Sequence, residues 1–173
     1  RVYMMVTPPE KAKNESTYVE IEFEKGTPVA LDGVKMGGVE MVTKLNKIAG
    51  ENGVGVIDIV ENRLVGMKSR GIYETPAGTV LYAALRELES IVLDKEAIAT
   101  KHTLSKKYAE LVYNGLWYTP LKEAIDAFVD SLAQDLTGKI KLKLYKGNIK
   151  VASRSSENAL YDEGISSFGA SDL

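Results

Sequence analysis

Between Gly53 and Thr79 the sequence reads GVGVIDIVENRLVGMKSRGIYETPAGT, and within it stand a carboxylate, three cations and a phenol: Glu61, Arg63, Lys68, Arg70 and Tyr73. A buried strand followed by a turn does not need so many polar groups, so their density points to a lined site, an interface, or both. A carboxylate can hold an ammonium. A tyrosine hydroxyl a short loop away can donate to a carboxylate or a ureido oxygen. Those are the demands of an amino-acid zwitterion. The competing reading makes Glu61, Arg63, Lys68 and Arg70 a structural ion-pair network, the polar run of a self-association surface with no catalytic part.

These residues need elements to position them. Val54 to Val60 is apolar on both faces, which predicts a strand central in a sheet, with Glu61 and Asn62 at its end. Glu61 and Arg63 are two apart and share one side of an extended chain. Upstream, Val2 to Val6 reads as a short strand stopped by Thr7, Pro8 and Pro9. Thr17 to Phe23 alternates, with Val19, Ile21 and Phe23 on one side and Glu20, Glu22 and Glu24 on the other. Lys25-Gly26 turns it, Pro28 to Leu31 returns, and Asp32-Gly33 turns again.

Met41, Val42, Leu45, Ile48 and Ala49 recur at helical spacing from Gly38, with Gly50 as the stop. A second helix is expected from about Gly78 to Leu93 and a third from Asp94 to Gly115. Thr119-Pro120 predicts an N-cap hydroxyl and a first-turn proline for a fourth, with Leu121, Ile125, Phe128, Val129 and Leu132 inward and Gly138 as its end. Ile140, Leu142 and Leu144 then alternate with Lys139, Lys141 and Lys143, turn at Lys146-Gly147-Asn148, and return through Ile149 and Val151. After Ser153 the pattern fades, leaving Leu160, Tyr161, Ile165 and Phe168 as candidate anchors. The sum is an α+β fold: one domain, with a mixed, largely antiparallel sheet packed against several helices.

Composition bounds the function. The 173 residues suit one domain with a sizeable core. The formal charge of -2 disfavours broad attraction to nucleic acid or anionic lipid, and no apolar run has the length of a membrane span. With no cysteine and one histidine, neither a disulfide framework nor a zinc site is expected. His102 reads as an exposed helical histidine rather than half of a serine–histidine pair with Ser105. Gly50, Gly53 and Gly55 follow a helix and precede a strand, the reverse of a phosphate-cradling turn. The lysines at 139, 141 and 143 read as a solvated sheet face, and Trp117 with Tyr118 as a hydrophobic staple or core pair. Arg1, already beside an apolar run, reads as an internal start with a partner domain upstream. The expected setting is a cytoplasmic enzyme.

The wording of several blocks resembles the carboxy-terminal domain of argininosuccinate synthases, which join citrulline to aspartate at the expense of ATP. The blocks are YVEIEFEKGTPVALDG from Tyr18, the run from Gly53 to Thr79, AELVYNGLWYTP from Ala109, KLKLYKGN from Lys141, and RSS and LYDE between Arg154 and Glu163. The resemblance covers nearly the whole chain. It implies that Glu61, in IVENR, and Tyr73, in GIYETP, contact citrulline. Arg63, Lys68 and Arg70 remain candidate support for the site or an interface. It also implies a reaction in which the citrulline ureido oxygen attacks the α-phosphate of ATP, giving a citrullyl-adenylate that the aspartate amine resolves. ATP, with magnesium, would be bound mainly by an amino-terminal domain whose Ser-Gly-Gly-type loop is absent from these residues.

The resemblance also implies a homo-oligomer, a tetramer, in the full enzyme. Residues 155–173 would begin a C-terminal arm that wraps neighbouring subunits. Two departures bear on assembly: Val56 stands where the family commonly has arginine, and the arm is short. Neither touches Glu61 or Tyr73.

Overall fold

Alternation writes most of the main sheet. In the computed structural model, which describes residues 3–161, strand β1 (Thr17–Glu24) turns Val19, Ile21 and Phe23 inward and fully buries them. It pairs antiparallel with β2 (Thr27–Leu31) on one side and β6 (Gly138–Tyr145) on the other. The short β3 (Val34–Lys35) and the last strand β7 (Asn148–Ser155) complete five strands in the order β3-β2-β1-β6-β7. Register places Ile21 opposite Ile140 and Val19 opposite Leu142 on the buried face. On the outer face it sets Glu20 opposite Lys141 and Glu22 opposite Lys139, with 3.7 Å between the charges of the second pair. The lysine row is thus a solvated, charge-matched sheet face. Tight reversals at Lys25-Gly26, Asp32-Gly33 and Lys146-Gly147 have positive φ at both residues, the two-residue turn that matches strand twist.

Helices cover the inner face. Helix α1 (Gly38–Glu51) brings Met41, Leu45 and Ala49, and α2 (Pro76–Val92) brings Val80, Ala84, Leu88 and Val92, into one core with the sheet. Helix α3 (Lys95–Tyr113) starts at Asp94, whose carboxylate accepts from the N–H groups of Glu96 and Ala97. It is tied to α2 by the ion pair of Lys101 with Glu89, a carboxylate only 5% exposed. Helix α4 (Pro120–Ala133) follows. The described residues therefore form four helices and two antiparallel sheets, an α+β domain as the sequence predicts.

Several expectations are corrected. Met4 to Val6 is not a strand, because its amides are taken by a side chain rather than by a neighbouring strand. Gly50 lies within α1, and Asn52 caps it. Thr119 precedes α4, but its hydroxyl donates to the Leu116 carbonyl and does not cap. Of the expected inner face of α4 only Ile125 is fully buried, and the helix ends at Ala133 rather than Gly138. Trp117 and Tyr118 are exposed, with the Lys122 ammonium 3.9 Å from the Trp117 ring centroid. His102, by contrast, is exposed on α3 as the sequence predicts. The anchors expected at Ile165 and Phe168 lie outside the described residues.

The main correction concerns the signature run. Strand β4 (Val56–Asn62) is not central: it pairs with β5 (Lys68–Glu74) alone, in a two-stranded ribbon separate from the main sheet. Ile57 and Ile59 on one face, Val60 on the other, and Leu64, Val65 and Met67 at the tip are all exposed.

Candidate functional site

The register of the ribbon sorts its polar residues onto two faces. Ile57 lies opposite Tyr73, Ile59 opposite Gly71 and Glu61 opposite Ser69, so these six share one face. There the Tyr73 hydroxyl donates to Glu61 Oε1 at 2.6 Å, a short bond of the kind a charged acceptor makes. This bond is the main reason the Tyr73 phenol titrates above its usual range, with smaller contributions from burial and from the charges of Glu61 and Tyr113, opposed by Arg63. Tyr73 reaches Glu61 diagonally across Gly71. A Cβ at position 71 would stand 2.6 Å from Tyr73 Cε2 and 2.9 Å from its hydroxyl oxygen. Glycine leaves the space that the Tyr73 ring fills on its way to Glu61.

Arg63 belongs to the same end of this face. It follows β4 in the turn, where its amide donates to the Met67 carbonyl at 2.8 Å, and its guanidinium reaches the Ser69 hydroxyl at 3.3 Å. A carboxylate, a phenol and a guanidinium thus stand together in the open.

The opposite face holds a separate set. Arg70 grips Asp58 with two bonds of 2.8 and 2.5 Å, a fork on a carboxylate. The Arg70 bond holds the Asp58 carboxyl below its usual range, and Asp58 in turn raises Arg70. Lys68 donates to the Asn62 side-chain oxygen at 2.9 Å. The five residues singled out from the sequence therefore divide: Glu61, Tyr73 and Arg63 come together, whereas Lys68 and Arg70 face away from them. Among the described residues no ion pair joins Glu61 to any cation, and the pairing of Arg70 is with Asp58.

The larger clefts lie elsewhere. One of about 600 Å³ is lined by Tyr3 to Lys11, and one of about 630 Å³ includes Ser90, Arg154 and Tyr161. Neither includes Glu61 or Tyr73, whose face is an open surface suited to be one wall of a site. Among the described residues no three His, Cys, Asp or Glu side chains gather as they would around a metal ion, and no helix is long and apolar enough to cross a membrane.

The family model "Arginosuccinate synthase C-terminal domain" matches residues 1–173, the whole of the chain. The chain belongs to the argininosuccinate synthase family. It is 64% identical over 172 residues to an argininosuccinate synthase of Clostridium botulinum (strain Kyoto / Type A2), covering 99% of this chain and 43% of that protein. It is 61% identical, with the same coverage, to an argininosuccinate synthase of Clostridium acetobutylicum. The chain thus spans less than half the length of the argininosuccinate synthases it matches.

Three residues of this argininosuccinate synthase domain escape the sequence reading. Asp58 becomes the partner of Arg70 only once the hairpin register is known. Gly71 carries a faint signal, a glycine two residues before a tyrosine and so on its side of a strand. Glu74 ends β5 by accepting the amides of Met4, Met5 and Val6, each at 2.8 Å. Burial alone would raise its carboxyl, but the three donors outweigh that and hold it below the usual glutamate range.

Gly71→Ala is expected to push the Tyr73 ring off Glu61. The exposed ring can swing aside, so melting temperature should change little. The Tyr73 phenol should titrate closer to an ordinary tyrosine, near pH 10, when followed by NMR of labelled rings. An unshifted titration would mean that the ring does not lie across Gly71 in solution.

Proposed function

We propose that this chain is the citrulline-binding and oligomerisation portion of an argininosuccinate synthase, a ligase of arginine biosynthesis that makes argininosuccinate from citrulline, aspartate and ATP through a citrullyl-adenylate, releasing AMP and pyrophosphate. The observation that carries the reading is the 2.6 Å contact of Tyr73 with Glu61 on the open ribbon face, since these are the two side chains that the sequence resemblance assigns to citrulline. Glu61 keeps its second carboxylate oxygen for the α-ammonium of the amino acid. The Tyr73 hydroxyl, now donating to Glu61, can turn to a carboxylate or ureido oxygen when substrate arrives.

The work of these residues is positioning. Holding citrulline by its amino-acid end presents the ureido oxygen at a fixed angle to a nucleotide, and orientation of that kind removes a large part of a bimolecular barrier. The nucleotide is assigned elsewhere, because Gly53 and Gly55 lie between the end of α1 and the start of β4, the reverse of a phosphate-cradling turn. ATP, its magnesium and the aspartate contacts fall to the remaining length that the relatives contain, and the part of this chain is to hold citrulline.

The exposed apolar residues on both ribbon faces and at its tip support assembly with other parts of the enzyme, in keeping with a homotetramer in the cytoplasm. The ion-pair alternative loses ground because Arg63 and Lys68 donate to the neutral Ser69 and Asn62. By itself, this chain is expected to show no citrulline-dependent exchange of labelled pyrophosphate into ATP. Clear exchange by the purified 173-residue chain would place nucleotide chemistry within it and refute this division of labour.

A further inference from the structure

The carboxylate of Glu74 does something that neither the ribbon nor the core requires. Its Oε2 accepts the Met4 amide, and its Oε1 accepts those of Met5 and Val6. Three consecutive amides aimed at one side chain are neither strand nor helix. The shape of this segment is therefore set by Glu74. Burial holds only the inner end of the segment, since Val6 is 5% exposed whereas Met4 is 90% and Met5 46% exposed.

The other side of the segment is equally confined. The Thr7 amide donates to the Gly50 carbonyl at 2.9 Å, and a Cβ on Gly50 would stand 2.3 Å from the Met5 carbonyl oxygen. The segment is threaded between the last turn of α1 and the end of β5. Glu74 is also the neighbour of Tyr73 on one strand, with side chains on opposite faces. The next residue is pinned in turn, Thr75 donating to the Gly55 carbonyl at 2.7 Å. A backbone shift at Glu74 must carry Tyr73 with it.

We propose that Glu74 is a positioning residue for the ligase reaction: by gathering the amides of Met4 to Val6, it fixes the angle at which the Glu61–Tyr73 ribbon meets the portion of the enzyme joined to that segment. This rests on the citrulline reading of Glu61 and Tyr73. The matching family model is that of a carboxy-terminal domain and the relatives are more than twice the length of this chain, so residues 4–6 would form the lead-in from the remaining portion of the complete enzyme. A ribbon free to swing about that lead-in would still bind citrulline but would present its ureido end at the wrong angle.

The test uses the complete enzyme with Glu74→Ala and Glu74→Gln, the second keeping the size of the side chain in case the first does not fold. Amide exchange by mass spectrometry on the peptide spanning residues 3–8 should be about tenfold faster or more in Glu74→Ala and intermediate in Glu74→Gln. At a temperature where the variants are folded, kcat should fall about 10- to 100-fold in Glu74→Ala and less in Glu74→Gln, while the citrulline KM moves less than about threefold. A purely structural role predicts a lower melting temperature with kcat intact. Unchanged exchange, or unchanged kcat in the folded variants, overturns the proposal. If Glu61→Gln left the citrulline KM unaltered while the Glu74 variants lost kcat, the citrulline reading would fail, and Glu74 would still set the angle of the ribbon but for a group other than Glu61.

Discussion

Glu61→Gln in the complete enzyme is expected to raise the KM for citrulline about 10- to 100-fold, with the KM for ATP nearly unchanged. The substitution keeps the shape of the side chain and removes its charge, so what is lost is a charge-assisted bond to the α-ammonium. That ammonium is remote from the reacting ureido group. The loss should therefore fall mainly on binding, not on kcat. Tyr73→Phe removes a neutral donor, and its effect on the same KM should be milder. Among the described residues Glu61 is ion-paired to no cation, so the melting temperature of Glu61→Gln should stay close to that of the parent. Steady-state kinetics with citrulline and ATP varied separately, together with thermal unfolding, check both halves. Intact citrulline kinetics with a clearly lowered melting temperature would make Glu61 a structural residue.

Phe23→Ala carries the largest expected effect on stability. Phe23 is 1% exposed, at the end of β1 where the β2 register shifts by a residue, and belongs to the core that α1 and α2 share with the sheet. Removing a buried ring leaves a cavity as well as a lost transfer term, about 3–5 kcal/mol together. In a domain of this size that lowers the melting temperature by roughly 6–20 °C. Circular dichroism melts of parent and variant measure it. A shift of only a degree or two would show that the sheet and helices do not close over Phe23.

Strict alternation made the main sheet legible. Val19, Ile21 and Phe23 against Ile140, Leu142 and Leu144 require a pairing that buries both rows on one face, and the lysine and glutamate rows then meet outside. The helices were legible because Met41 and Leu45, or Ala84 and Leu88, repeat at the helical period, although Leu81, Leu85 and Ile91, read from the same spacing, are only half-buried. The ribbon was not. A strand apolar on both faces reads as central, yet the apolar residues of β4 stand exposed, and a local pattern does not distinguish a buried strand from an exposed one.

Within the site, Glu61 and Tyr73 were legible through family wording, whereas their contact depends on Gly71 and on a pairing that sets Ile57 opposite Tyr73. Arg70 looked like a partner for Glu61 because both lie in one short run. The hairpin register turns it to the other face, toward Asp58. Met4 to Val6 looked like a strand because nothing in an apolar run reveals that a glutamate 68 residues away will accept the Val6 amide.

The most direct test of Glu61 as the group that holds the citrulline ammonium uses 5-ureidopentanoate, which is citrulline without its α-amino group. Its inhibition constant is compared with the citrulline KM in the parent enzyme and in Glu61→Gln. If Glu61 holds the ammonium, the parent should prefer citrulline by roughly tenfold or more, and Glu61→Gln should lose most of that preference, because the charge that read the amino group is gone. An identical preference in both enzymes would contradict the assignment and place the ammonium on other residues.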